Sequence, residues 1–294
     1  MTGADDSISE SSPAGAADLS AEAAKRRRDW IARPVFGVLL AALALAALFI
    51  GTWSVAALAA LASALAVREW HKIVSGHPSR VTGFSIAAIV FALADFLFYG
   101  RIWPAALVLS VAVIAIAAFQ AARRNHPLWH AAGTLYLGIP ALALVALRGL
   151  PHGSWLILCL FLMVWATDTG ALVAGNLIGG AKLAPKISPN KTWAGFFGGV
   201  AAAAIVAVVI ALIVGGRVGL AAALGAGLAV AAHVGDLFES AFKRRFHVKD
   251  SSDLIPGHGG VLDRIDSTLA AVAVLAVTIF VFHLNLDSLL GVHP

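Results

Sequence analysis

The run AGFFGGVAAAAIVAVVIALIV, residues 194–214, contains no charged side chain. An α-helix rises about 1.5 Å per residue, so roughly 20 apolar residues cross the hydrocarbon core of a bilayer, which is about 30 Å thick. The run therefore has the length and the composition of a membrane-spanning helix. Other stretches of the chain repeat this pattern, so the sequence predicts a fold built from such helices.

The composition of the whole chain agrees with this prediction. Of the 294 residues, 60% are hydrophobic and 13% are charged, and the mean hydropathy is +0.88. An ordinary soluble domain has about 25% charged residues. Because so few polar side chains cannot cover such an apolar core, the composition excludes a soluble globular protein, a coiled coil and a largely disordered chain.

Apolar runs between polar breaks predict an all-α polytopic membrane protein with about nine transmembrane helices. The first two runs are short, and only Gly51 and Thr52 divide them. The predicted spans are residues 35–50, 52–67, 83–99, 103–122, 132–147, 154–175, 194–214, 218–235 and 267–286.

The distribution of Lys and Arg favours nine spans over eight. With a cytoplasmic N-terminus, all of the 21 Lys and Arg residues except Arg101, Arg148 and Arg217 lie on the cytoplasmic side. The positive-inside rule requires this bias, and merging the first two spans would invert every later loop. We therefore expect a multi-pass protein of the inner membrane whose longer loops, and hence its polar functional groups, face the cytoplasm.

Three regions follow from the charge pattern. Residues 1–24 carry acids but no Lys or Arg and are rich in Ser, Ala and Gly, so residues 1–29 are predicted to form a disordered tail. Residues 30–150 are predicted to form N-terminal transmembrane helices, and residues 151–294 a C-terminal transmembrane catalytic region. Tryptophans at span ends, among them Trp70 and Trp103, are typical of an interfacial aromatic belt.

Acidic residues are rare beyond the tail, yet six of them lie within residues 236–266. If the eighth helix continues past its apolar part, its acids, a hydroxyl and a lysine share one face. Carboxylates and hydroxyls suit Mg²⁺, while Lys and Arg bind phosphate oxygens. The alternative is a solvated helix end stabilised by i,i+4 pairs. The residues concerned are Asp236, Glu239, Ser240, Lys243 and Arg244.

The following loop strengthens the case for a site. Glycines flank His258 and permit close backbone approach to a ligand. Asp263 and Asp266 share a face of the next helix, whose N-terminal amides favour anions such as phosphate. Asp266 and Ser267 could alternatively serve as a helix cap. Together with the acidic end of the eighth helix, the loop predicts a phosphate-and-metal site. Because Cys159 is the only cysteine in the sequence, the ligands of a metal at this site must be oxygen atoms or imidazole groups.

Further polar groups lie in or beside the spans. Asp168 lies about 21 Å along the sixth span from Ser154, near the cytoplasmic side, where a carboxylate is costly and usually functional. Lys191 and Thr192 precede the seventh span and could contact phosphates, or could simply anchor the helix on the inner side. Asp95, near the outer end of the third span, is expected to reach the interface without a partner.

The run from Ser240 to Asp266 contains S-x2-K-R-x4-K-D-x5-P-x-H-G-G-x2-D-R-x-D. This pattern resembles the signature of the phosphatidate cytidylyltransferases, or CDP-diacylglycerol synthases. The segments SPNKTWAG, residues 188–195, and WATDTGALVAG, residues 165–175, resemble two further elements of that family.

The resemblance implies that phosphatidate and CTP react to give CDP-diacylglycerol and pyrophosphate in phospholipid biosynthesis, with Mg²⁺ as cofactor; a second cation is left open. It implies metal ligation by Asp236 and Asp263, supported by Asp266, Glu239 or Asp168. Catalytic roles are expected for Asp236, Lys243, Arg244, His258, Asp263 and Arg264. Substrate binding is expected for Ser188, Lys191, Thr192, Ser240, Lys249 and Asp168.

The expected partners are CTP, phosphatidate and the lipid bilayer, but no nucleic acid; a homo-oligomer is left open. Two other functions remain as alternatives. One is a related CTP-dependent membrane enzyme with another lipid acceptor, such as a polyprenol kinase or an archaeal-type lipid cytidylyltransferase. The other is an ion-coupled transporter that uses Asp95 and Asp168, although transporters often show repeated halves and this chain shows none.

Overall fold

The computed structural model describes residues 36–252, 254 and 259–282, so the predicted tail at residues 1–29 lies outside it. In the described part, the chain forms nine helices and one β-hairpin. The helices are α1 (Phe36–Ile50), α2 (Thr52–Ser75), α3 (Val81–Tyr99), α4 (Ile102–Ala122), α5 (Pro127–Arg148), α6 (Gly153–Leu177), α7 (Trp193–Val214), α8 (Val218–Arg245) and α9 (Leu262–Val281).

The predicted all-α polytopic membrane fold is confirmed. Seven helices, α3 to α9, are long and apolar enough to cross a membrane. The break at Gly51 between the first two helices is also confirmed. However, α1 is only the short helix Phe36–Ile50. Helix α2 extends past the predicted end at residue 67 by about two turns, which contain Arg68, Glu69 and Lys72.

The β-hairpin was not predicted. Strands β1 (Lys182–Ala184) and β2 (Ser188–Thr192) pair antiparallel between α6 and α7, with Lys182 opposite Thr192 and Ala184 opposite Ser188. The hairpin presents Ser188 and Lys191 beside the end of α8. Its strands are too short for an alternating apolar pattern to stand out in the sequence.

Helices α6 to α9 pack through small residues. In α7 the buried positions recur at every fourth residue: Gly195, Gly199, Ala203, Ala207 and Ala211. A Cβ added at Gly199 would lie 2.7 Å from the Thr167 carbonyl oxygen in α6 and 2.7 Å from His233 Nε2 in α8. Small side chains allow helix backbones to approach closely where lipid supplies no hydrophobic drive for association. This packing fixes α6 and α8 on either side of α7.

Helices α2 to α5 form a second apolar cluster that includes residues of α8 and α9. Its centre is Trp70, which is fully buried and stacks on Phe242 with ring centroids 3.7 Å apart. The Trp70 indole donates a hydrogen bond to the Trp129 carbonyl oxygen at 2.8 Å. The expectation that Trp70 belongs to an interfacial belt is therefore wrong, because the position faces another helix rather than the membrane surface.

The end of α8 lies directly against the start of α9. A Cβ added at Gly235 would lie 2.6 Å from the Asp266 carbonyl oxygen and 2.7 Å from Ala270 Cβ. Since Asp236 follows Gly235, this contact sets the separation of the acidic side chains on the two helices. The C-terminal ends of α6 and α8, the hairpin and the N-terminal end of α9 thus meet on one side of the molecule.

Replacing Gly235 by alanine tests this contact. The added methyl must push α8 from α9, so Gly235→Ala should lower the free energy of unfolding by about 1–3 kcal/mol, the usual range for overpacking. Gly227→Ala, on the same helix, is the matched control, because a Cβ at Gly227 would meet nothing within 4 Å. Thermal unfolding of the detergent-solubilised variants measures both effects, and equal behaviour of the two variants would contradict the packing described.

Candidate active site

The polar face predicted for the end of α8 is present. The helix continues to Arg245, so the residues four apart lie side by side. Ser240 Oγ lies 3.5 Å from Asp236 Oδ1, and Lys243 Nζ lies 2.8 Å from Glu239 Oε2. The i,i+4 pairs of the alternative interpretation exist, but its solvated surface does not, since the Glu239 side chain is only 1% exposed.

Lys243 joins the tip of α8 to the tip of α9. Its ammonium lies 2.8 Å from Glu239 Oε2 and also 2.8 Å from Asp263 Oδ1. Asp263 accepts two further hydrogen bonds at Oδ2, from the backbone amides of Ser251 at 3.1 Å and Gly260 at 2.9 Å. A buried ion pair needs such additional hydrogen bonds to offset desolvation. The two helix tips therefore converge, as the sequence predicted.

Glu69, from the polar C-terminal part of α2, fixes the start of α9. Its carboxylate accepts hydrogen bonds from the amides of Val261 at 3.0 Å and Leu262 at 2.8 Å. It also accepts bonds from the hydroxyls of Ser251 at 3.0 Å and Ser252 at 2.5 Å. Helix N-terminal amides lack intrahelical acceptors and attract negative charge. Contrary to the expectation, these two amides are not free for a substrate phosphate, because Glu69 holds them.

The glycine pair before α9 is explained by the same two carboxylates. Gly259 has a φ of 76°, in the left-handed region that favours glycine. A Cβ at Gly259 would lie 2.6 Å from Asp263 Oδ2, and one at Gly260 would lie 2.6 Å from Glu69 Oε2. The close backbone approach predicted for these glycines is therefore an approach to side chains of the protein itself.

A second group of charges lies where α6, α8 and α9 meet, and we call Asp168, Asp236 and Asp266 the carboxylate cluster. Each carboxylate of the cluster interacts electrostatically with the other two. Lys191, from β2, forms an ion pair with Asp236 and interacts with Asp168 and Asp266 as well. Lys191 is thus shared among three acids, and Arg264 adds a second positive charge beside Asp168.

Three buried polar atoms beside these charges have no hydrogen-bond partner among the described residues. They are Tyr136 Oη in α5, and His233 Nε2 and Glu239 Oε1 in α8. Tyr136 interacts electrostatically with Asp236, Glu239 and Asp266, and His233 with Lys191 and Asp236. Buried polar groups are normally satisfied, so unpaired ones around a charged cluster indicate a place for a polar ligand or water.

The hairpin and the end of α8 hold each other in place. Thr192 is buried, and its Oγ1 caps α7 by accepting a hydrogen bond from the Gly195 amide at 3.0 Å. Arg244 donates hydrogen bonds to the carbonyl oxygens of Ile187 at 3.3 Å and Val248 at 3.1 Å. Both residues therefore have clear structural contacts beside the roles expected of them, while Ser188 is half-buried at the start of β2.

The remaining predicted residues occupy the exposed margin. Arg264 is exposed and interacts electrostatically with Asp168. Lys249 is exposed in the loop after α8. His258 lies outside the described residues, so its predicted role stays a prediction. The structure thus brings the two predicted parts of the site, the α8 face and the start of α9, together with Asp168 and Lys191.

Several contributors were missed in the sequence, among them Glu69, Ser251, Tyr136 and His233. Glu69 was visible as one of the few acids beyond the tail, close to the predicted cytoplasmic end of a span. A rare carboxylate near a span end was therefore the available signal. No local pattern pointed to Ser251 or Tyr136.

The acidic residues suit a hard cation by their chemistry. Carboxylate oxygens are the ligands that Mg²⁺ prefers, and the unpaired Glu239 Oε1 is such an oxygen. In the described part of the chain, no three His, Cys, Asp or Glu side chains stand close enough together to enclose a metal ion. Predicted ligands form ion pairs with two lysines instead. Lys191 pairs with Asp236, and Lys243 pairs with both Glu239 and Asp263.

Removing the Glu69 carboxylate tests its hold on the loop. Glu69→Ala leaves the buried amides of Val261 and Leu262 unpaired, at a cost of about 1–3 kcal/mol each. Amide hydrogen exchange at residues 259–262 should therefore become at least about tenfold faster. Lys72→Ala, an exposed substitution on the same helix, is the control, and unchanged exchange in Glu69→Ala would show that the carboxylate does not order the loop.

The chain is similar in sequence to known proteins. The chain matches the cytidylyltransferase family over residues 31–282. It is similar to proteins named phosphatidate cytidylyltransferase from Brucella suis (47% identity over 152 residues), Pseudomonas aeruginosa (51% over 140) and Rickettsia bellii (41% over 152). These matches cover 50%, 47% and 49% of the chain, and 55%, 52% and 65% of the relatives.

The chain thus spans about half the length of the Brucella and Pseudomonas relatives that it matches. The match to the family itself extends from before α1 to the end of α9. The protein therefore belongs to the cytidylyltransferase family.

Proposed function

We propose that the protein transfers a cytidylyl group from CTP to phosphatidate, giving CDP-diacylglycerol and pyrophosphate. The observation that carries the proposal is the meeting of two lysines with five carboxylates at the joined ends of α6, α8 and α9. The acids are Asp168, Asp236, Glu239, Asp263 and Asp266, and the lysines are Lys191 and Lys243. Such mixed charge suits a reaction between two polyanions, and relatives bearing that enzyme name support the choice.

In the proposed reaction, an oxygen of the phosphatidate phosphomonoester attacks the α-phosphorus of CTP. A new phosphorus–oxygen bond forms as the bond to the β-phosphate oxygen breaks, and pyrophosphate leaves in line. The attacking oxygen is already anionic near neutral pH, so no strong general base is needed. The chief difficulty is to bring the two anions together and to stabilise charge on the leaving group.

Lysine and arginine side chains answer this difficulty. Lys191 and Lys243 are paired with carboxylates in the structure, and in the proposed complex they would keep these partners while also donating to the substrate phosphates. Arg264 is exposed beside the carboxylate cluster and suits bidentate binding of a phosphate. Arg244 and Lys249 lie at the loop side of the site, where they would hold the outer phosphates, with Ser188, Thr192, Ser240 and His258 as the further expected contacts.

Mg²⁺ is the proposed cofactor. We propose Asp236 and Asp263 as its principal ligands, with Asp266, Glu239 or Asp168 in support, and we leave a second cation open. When bound, the ion would neutralise phosphate oxygens and orient the leaving pyrophosphate. Removing one such carboxylate should weaken binding of the ion. The negative charge of the substrate phosphates would then be uncompensated, and the reaction should slow strongly.

The inner membrane is the proposed location, with the site on the cytoplasmic face. Two features support this. The site residues gather at helix ends on one side of the molecule, and the positive-inside rule assigns that side to the cytoplasm. The lipid headgroup would meet water-borne CTP there, while the acyl chains stay in the bilayer. No nucleic acid enters this proposal, and the oligomeric state is left open.

Another lipid acceptor is the second candidate, since an enzyme of related chemistry would share the same phosphate-binding groups. The ion-coupled transporter has less support. Asp168 belongs to the carboxylate cluster and lies in the C-terminal half of α6, whereas Asp95 lies in α3, which contributes no residue to the site. The two acids that a transport path would join are therefore in separate parts of the described structure.

Turnover of labelled CTP tests the proposal. The purified protein should form lipid-linked cytidylate from CTP and phosphatidate only when Mg²⁺ is present. Asp236→Asn should lower kcat by a factor of about 10² or more, the usual effect of removing one stabilising group from a transition state. Asp95→Asn is the matched control and should retain close to the parental rate.

Three results would contradict the proposal. Unaltered turnover in Asp236→Asn would overturn the metal assignment. Phosphorylation or cytidylylation of a polyprenol or an archaeal lipid, with phosphatidate inert, would replace the acceptor. Ion flux in proteoliposomes without any nucleotide turnover would favour the transporter.

A further inference from the structure

An apolar pocket of about 400 Å³ lies between α1, α2, α5, α6 and α9. This volume falls within the range of about 300–1,000 Å³ that small-molecule pockets occupy. Its walls are aliphatic and aromatic, and the only polar side chains among the described lining residues are Ser63, Thr268 and Arg264. Arg264 is the single charged one. A nucleoside triphosphate could not be buried in such an apolar pocket, because its negative charges would lack positive partners.

The pocket is at least as deep as one leaflet of a bilayer. Its lining extends from Val261, just before α9, to Val272 on that helix, and on α1 from Gly37 to Leu48. Eleven steps along a helix correspond to about 16 Å. Half of a hydrocarbon core about 30 Å thick is about 15 Å. The pocket is therefore at least as deep as the space that the acyl chains of one leaflet fill.

The charged end of the pocket joins the candidate active site. Arg264 lines the pocket and also interacts electrostatically with Asp168 of the carboxylate cluster. Trp165 lines it too, one turn before Asp168 on α6. A guanidinium forms paired hydrogen bonds with a phosphate monoester. The pocket is thus an apolar cavity that ends at Arg264, whose guanidinium can bind a phosphate. Arg264 also lies beside the carboxylate cluster of the candidate active site.

We infer that this pocket binds an acyl chain of the phosphatidate substrate, with the phosphomonoester at Arg264. The inference rests on the proposed function and adds to it the place where the lipid lies. Small residues of α1 and α2, among them Ala44 and Ala62, leave the room for the chain. The pocket walls, rather than the charged site, then set the chain length that the enzyme prefers.

Filling the pocket tests the inference. Ala44→Phe places a ring in the cavity, and Ala46→Phe places the same ring on an exposed face of the same helix, outside the pocket lining. KM and kcat would be measured in mixed micelles with dihexanoyl and dipalmitoyl phosphatidate, and separately for CTP. Ala62→Leu fills the pocket from α2 and serves as the second variant if Ala44→Phe does not fold.

Ala44→Phe should raise KM for the dipalmitoyl substrate at least about tenfold, because several methylene groups lose their place in an apolar pocket. KM for dihexanoyl phosphatidate and for CTP, and kcat, should stay within twofold of the parent, as should every constant of Ala46→Phe. Equal KM changes for both chain lengths, or for both variants, would overturn the pocket assignment. A parent protein that turns over no phosphatidate at all would instead overturn the proposed function.

A photoreactive lipid gives an independent measurement on the unaltered protein. Phosphatidate with a diazirine at the end of one acyl chain should label α1, α2, α5, α6 or α9 at pocket residues, and excess unlabelled phosphatidate should abolish the labelling. Labels confined to the exposed faces of α3 and α4 would contradict the inference.

Discussion

The ammonium of Lys243, held between Glu239 of α8 and Asp263 of α9, is the contact on which the site depends. The two acids depend on this lysine, since its removal would leave two carboxylates close together without a counter-charge. Asp263 also fixes the preceding loop, because it accepts hydrogen bonds from the backbone amides of Ser251 and Gly260. One cation therefore fixes the separation of two helix tips and the path of the loop between them.

The tips can meet only because the helices behind them are closely packed. Gly199 brings α7 against α6 and α8, and Gly235 brings α8 against α9. Helix association in lipid relies on such close approach, because the hydrophobic effect does not drive it. At the helix ends that carry the site, the same packing brings the acids of the carboxylate cluster within electrostatic range of one another. Their repulsion is a cost that Lys191 offsets in part, and that a bound cation would offset further.

The features that follow from local physics could be predicted from the sequence. Apolar runs set the helices because a bilayer requires each span to be long and uncharged, and the 3.6-residue period placed Asp236, Glu239, Ser240 and Lys243 on one face. What could not be predicted depends on partners far along the chain. Glu69 binds amides at Val261 and Leu262, almost 200 residues away, and Trp70 has the position of an interfacial tryptophan but packs on Phe242. The start of α9 also lies five residues earlier than the apolar run indicated, since polar residues fill its first turns.

We propose that the joined ends of α8 and α9 hold a cation beside a nucleotide. The most direct measurement is a crystal structure of the protein with CTP and Mn²⁺ in place of Mg²⁺, with the metal located by its anomalous signal. We expect a metal peak that is coordinated by Asp236 and by at least one acid of α9, with the triphosphate within reach of Lys191 or Lys243. A peak distant from Asp236, or tips of α8 and α9 that stand apart in the complex, would contradict it.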